Sequence, residues 1–158
     1  LNGEAKPFAQ AGAMLRCAGA ITGLVPKDPI KALSVDEAIG LDEDLRREMR
    51  PSIVISYDQT IKPKEKARKI KELREKLVAD QIPKFLSHFE QMLGNSDYLC
   101  GSSPTIADAQ FLVTCRWLGS GVLDHIPADI MSKYPKITAF RERMETTPEI
   151  AAYLNKPK

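Results

Sequence analysis

A chain of 158 residues, 43% hydrophobic and 28% charged, has enough apolar mass for one sizeable core and too much for a disordered segment. Its formal net charge of +2 comes from 23 basic against 21 acidic side chains, which gives no electrostatic ground for a nucleic-acid or anionic-membrane partner. No apolar run nears the roughly 20 residues of a membrane helix, no signal-peptide pattern opens the chain, and three cysteines without metal-ligand spacing predict reduced thiols in the cytoplasm.

Leu1-Asn2-Gly3-Glu4 reads as a hairpin turn entered from an earlier strand, so the chain is expected to begin in mid-domain. Pro7-Phe8-Ala9 is a strand candidate. Ala11 to Thr22 reads as a helix with Met14, Leu15, Ala18 and Ile21 on one face, stopped by Gly23. Val25 to Ala32, with two prolines, reads as a linker. Ser34-Val35-Asp36-Glu37 has capping-box spacing and opens a helix with Ala38, Leu41, Leu45, Met49 and Ile53 as its stripe, bent at Pro51. After Lys62-Pro63 a long helix runs to about Leu93, kinked at Pro83 and ended by Gly94-Asn95. Its basic stretch, Lys62 to Lys76, is interrupted by Glu65, Glu72 and Glu75 at spacings that make ion pairs along a solvated helix.

The most informative segment is Cys100 to Leu112. Gly101 to Pro104 forms a turn, and Thr105 followed by Asp108 makes a capping box, a structural device that satisfies amides orphaned at a helix start. The helix that follows, to Leu118, is apolar almost all round and should lie inside a bundle. Short helices are predicted near Ala128 to Lys133, from Pro135 to Glu145, and from Pro148, a proline at the first helical position. His88 and His125 have no carboxylate or cysteine at ligand spacing, so no metal site is expected. The fold class is mainly α, all-helical from residue 34 onward.

Pro7 to Arg16, Asp44-Leu45-Arg46, the Thr105 to Asp108 box, Tyr134 to Ile137 and Pro148 to Leu154 occur in the order found in cytosolic glutathione transferases, and the chain resembles the sigma, mu, pi and alpha group of that family. The resemblance implies that residues 1–24 are the last strand and helix of a truncated thioredoxin-like domain, 25–33 a linker, and 34–158 the all-α C-terminal domain that holds the hydrophobic electrophile. It places the catalytic tyrosine or serine ahead of residue 1, so this chain has no catalytic residue and is expected to be inactive by itself.

By the same resemblance, glutathione is the co-substrate. Gln10 and the amides at Ala11 would hold its γ-glutamyl carboxylate, and Asp44 would reach the γ-glutamyl amino group in the other subunit of a homodimer. The positive end of a helix receives a carboxylate on general grounds. Ala11 departs from the family's serine, and losing a hydrogen bond to a charged group costs about 1.5–3 kcal/mol. Arg16 and Arg46 match dimer-interface positions, and Val54, Ile55 and Tyr57 match the electrophile pocket. Two functions are expected: conjugation of the glutathione thiolate to hydrophobic electrophiles, or a non-catalytic module of the same fold serving protein assembly.

Overall fold

The computed structural model describes residues 7–156; the turn expected at Leu1 to Glu4 lies outside them. The helices are α1 (Ala11–Thr22), α2 (Pro29–Tyr57), α3 (Pro63–Lys76), α4 (Ile82–Leu93), α5 (Ile106–Leu118), α6 (Pro135–Thr146) and α7 (Pro148–Leu154). Among the described residues there is no strand; Pro7 to Ala9 is irregular, and no described segment offers it a hydrogen-bonding ladder.

Prolines start α2, α3, α6 and α7, where the missing N–H would have no helical acceptor. The beginning of α2 corrects the expected capping box. Asp28, not Ser34, is the N-cap, accepting from Lys31 N at 2.9 Å, and Ser34 lies inside the helix with its hydroxyl turned back to Ile30 O at 3.4 Å. The linker therefore ends five residues sooner than the Ser34 motif suggested. Pro51 is carried inside a continuous α2. At Pro83 the interruption takes the form of a widened π turn, Leu77–Gln81, with Ile82 N bonded to Leu77 O. This relieves the carbonyl crowding that a helix-interior proline produces.

α5 is the axis of the bundle. It packs on α1, α2 and α6, while α2 also packs on α3 and α4. Phe89 of α4 stacks on Phe111 of α5 at 3.9 Å between centroids, and Phe140 of α6 tilts against Phe111 at 5.6 Å. All these rings are fully buried. As expected, α5 lies inside the bundle over most of its circumference, but Val113 is 56% exposed, so the helix has an open stripe. Residues 128–133 are not a helix but successive turns, with Ile130 N to Pro127 O at 3.0 Å and Ser132 N to Asp129 O at 2.8 Å.

α1 docks by its smallest residue rather than by its large apolar ones. Gly19 is its buried residue, and a Cβ there would stand 2.4 Å from Ile106 Cγ2 and 2.8 Å from Val25 Cγ2. Met14 and Ile21 remain exposed. Leu24 O accepts from Ile106 N at 3.1 Å, which ties the end of α1 to the start of α5.

Candidate functional site

The start of α1 carries the strained backbone of the candidate site. Gln10 occupies the N-cap position at φ 75°, ψ 104°, a region that costs a non-glycine residue about 1–3 kcal/mol. Its carbonyl accepts from Ala13 N at 3.1 Å and Met14 N at 3.2 Å, so it closes the first turn, but its side chain makes no capping bond. The N–H groups of Ala11 and Gly12 have no acceptor among the described residues. Orphan amides at the positive end of a helix make a receptor for an anion.

Across from this turn stands the middle of α2. Glycine at 12 permits the approach, because a Cβ there would lie 3.1 Å from Arg16 Nη1 and 3.4 Å from Glu43 Oε1. Beneath it is a polar network that sequence reasoning missed. Asp42 is 1% exposed; its Oδ2 accepts from Arg46 Nε at 2.7 Å and from Gln110 Nε2 at 2.9 Å. Arg46 Nη2 also donates to Gln110 O at 3.1 Å, and Asp42 Oδ1 has no partner. The available signal was the register: buried Val35, Ala38, Asp42, Leu45, Met49 and Ser52 form one stripe with an acid in it, whereas Leu41 and Ile53, read as part of the stripe, are only half-buried.

Between α1, α2 and α5 the surface forms a groove of about 510 Å³, lined by Ala11 and Leu15, Glu43 and Arg46, and Gln110 and Val113. A second groove of about 630 Å³ lies between α2 and α4, with Glu37, Asp44 and His88 on its walls. Asp44 is exposed and ion-paired to Arg47. Ala11 lines the first groove and Asp44 the second.

The fold and these grooves can be compared with known proteins. A family model described as "Glutathione S-transferase, C-terminal domain" matches residues 51–157. This chain belongs to the glutathione S-transferase family. It is 32% identical over 94 residues to hematopoietic prostaglandin D synthase of Gallus gallus, a stretch that takes in 57% of this chain and 45% of that protein. The chain thus spans less than half the length of that relative. Among solved structures, prostaglandin synthase D of Nilaparvata lugens superposes over 100% of this chain and 72% of its own, with TM-score 0.82 and 21% identity. Monomeric Na-GST-3, a glutathione S-transferase of Necator americanus, superposes over 96% of this chain and 70% of its own, with TM-score 0.72 and 21% identity. At such identities the superpositions speak to the fold alone.

Within this family member the other expected positions are scattered. Arg16 is paired with Asp36 at 2.8 Å, and Arg46 is held by Asp42 and Gln110 within its own chain. Val54 and Tyr57 are exposed and Ile55 is half-buried at the end of α2; none lines the grooves described above. Thr105 and Asp108 form the expected capping box. Asp108 Oδ2 accepts from Thr105 N at 2.7 Å and Thr105 Oγ1 at 2.8 Å, and its Oδ1 accepts from Leu99 N at 2.8 Å. Burial raises the Asp108 carboxyl above its ordinary range, opposed by those bonds from Leu99 and Thr105. Burial also pushes the Cys100 thiol up to about 11, so Cys100 is a poor source of thiolate near neutral pH.

Proposed function

We propose that this protein is a cytoplasmic glutathione transferase that joins the glutathione thiolate to hydrophobic electrophiles. The observation that carries the reading is the strained Gln10 and the orphan amides of Ala11 and Gly12: they form an anion receptor at the position that matches the family's γ-glutamyl site. Residues 1–24 then belong to the glutathione-binding domain, and the helical domain follows a short linker.

The chemistry attaches sulfur to an electrophilic carbon as a leaving group departs or a π bond opens. This chain anchors the tripeptide electrostatically, which fixes the thiol relative to the electrophile. Asp44 serves a second subunit in this reading. It is exposed and faces a groove separate from its own α1, and its pairing with Arg47 is a surface contact worth about 0–1 kcal/mol. A neighbouring ammonium group can therefore displace that arginine.

Calorimetric titration of the protein at its full encoded length with glutathione tests the reading. Binding is expected, and it is lost in Asp44→Ala. Ala11→Ser should tighten it by about tenfold or more, since a hydrogen bond to a charged group is worth about 1.5–3 kcal/mol. The absence of binding heat in the unaltered protein favours the assembly module, the reading to which the missing Ala11 hydroxyl leans.

A further inference from the structure

α2 carries a second stripe that its own chain leaves uncovered. From residue 30 to residue 54, on the side turned away from the bundle, exposed positions alternate at intervals of three and four, the heptad spacing of helices that pair. The ends of this stripe are apolar: Ile30, Leu33 and Val54 are 71%, 64% and 55% exposed. Its middle holds Glu37, Gly40, Asp44 and Arg47, with the charged residues exposed and the glycine half-exposed.

The stripe is complementary to its own reverse. Two copies crossing antiparallel about a twofold axis level with residue 42 set Ile30 opposite Val54, Leu33 opposite Pro51, Glu37 opposite Arg47 and Gly40 opposite Asp44. A parallel pair would instead set Glu37 on Glu37 and Asp44 on Asp44, which like-charge repulsion opposes. Sliding the antiparallel pair by one heptad sets a charge on an apolar side chain, Arg47 on Ile30 or Glu37 on Val54. The ion pairs around α2, Arg16 with Asp36, Arg46 with Asp42 and Arg47 with Asp44, leave Glu37 without a cation among the described residues. Arg47 is 72% exposed, and its planar fork can keep Asp44 while it takes Glu37 of a second copy. A Cβ at Gly40 would meet nothing within 4 Å in its own chain, so the midpoint of the stripe is open to a close approach. The groove of about 630 Å³ between α2 and α4 borders the same stripe through Glu37, Gly40 and Asp44, which extends the contact beyond a single helix.

We propose that this face of α2 docks a second copy of the chain, antiparallel and in this register, with the Glu37–Arg47 ion pair made twice about the twofold axis. The pairing stands on α2 alone; its bearing on the site rests on the glutathione transferase reading. Within one chain Glu43 approaches the start of α1, where a Cβ at Gly12 would lie 3.4 Å from its Oε1. Asp44 of one copy lies opposite Gly40 of the other, one helical turn from that Glu43, and so stands beside the neighbouring anion receptor.

Sedimentation of the protein at full encoded length, over a range of concentrations, tests the register. The wild type should dimerise. Glu37→Arg sets like charges together twice in each dimer, as does Arg47→Glu, and each should raise the dimer Kd at least about tenfold. Mixed in equal amounts, the two variants should form a heterodimer about as tight as the wild type, because one chain then carries both cations and the other both anions. Gly40→Leu, at a position with open space in its own chain, should weaken the dimer and leave the circular dichroism spectrum unchanged. A monomeric wild type, single variants that dimerise normally, or a mixture that stays monomeric overturns the proposal. Calorimetry with glutathione separates the two readings. A dimer with these variant effects that gives no heat keeps the pairing and removes the transferase reading, and a monomeric wild type that binds glutathione does the reverse.

Discussion

Asp108→Ala removes the acceptor from two backbone amides, Leu99 N and Thr105 N, and from the Thr105 hydroxyl. Leu99 and Thr105 are 5% and 6% exposed, so water cannot easily replace the carboxylate. Each stranded amide costs about 1–3 kcal/mol, while the hydroxyl can rotate toward another acceptor. Alanine also removes a carboxyl whose own burial is unfavourable, as its raised pKa shows, and this offsets part of the loss. The expected destabilisation is about 2–4 kcal/mol, a large share of the roughly 5–15 kcal/mol that a domain has in total. Guanidinium unfolding followed by far-ultraviolet circular dichroism should show a lower midpoint with unchanged slope. Thr105→Val, which removes only the hydroxyl, should cost about 1 kcal/mol. If Asp108→Ala is as stable as the wild type, or no worse than Thr105→Val, the carboxylate does not organise this turn.

The raised folded-state pKa of Asp108 sets the sign of a pH effect. Its contribution to stability is fully present below the ordinary value of 3.8 and is lost as pH rises through the folded value. The wild type's margin over Asp108→Asn should therefore be largest at the acid end, and a margin that grows with pH contradicts the assignment. Gly19→Ala places a Cβ 2.4 Å from Ile106 Cγ2. Overpacking of this kind costs about 1–3 kcal/mol and outweighs the gain of up to about 1 kcal/mol in helix propensity. Faster hydrogen exchange along α1, partly reversed by Ile106→Ala, is the expected result, and a Gly19→Ala protein with slower exchange there refutes the close approach. Of the thiols, Cys17 is exposed, Cys100 half-buried and Cys115 buried; a disulfide reagent near neutral pH should titrate one quickly and the others only on unfolding. Two fast thiols would mean that the loop before α5 opens.

Much of the architecture was legible from local chemistry. The prolines at the heads of α3 and α7, the glycine at the end of α1 and the Thr105–Asp108 box mark helix boundaries because capping depends on a few adjacent residues. The ion pairs along α3, Lys69 to Glu65 at 2.8 Å and Arg68 to Glu72 at 2.7 Å, follow from spacing alone. Motif order was likewise enough to indicate the family.

What the linear pattern left undecided is which face of each helix meets which neighbour. Ser34-Val35-Asp36-Glu37 has capping spacing, yet Asp28 and Pro29 start the helix earlier, since a cap forms at the first free turn and not at every motif. α1 turns Gly19 inward and leaves Ile21 outside, because close approach to Ile106 selects the smallest side chain. Asp42 is buried since Arg46 and Gln110, the latter 68 positions along the chain, both reach its carboxylate. Periodicity records the spacing of side chains along one helix, whereas burial and the donors free to meet a ligand depend on the helices packed beside it.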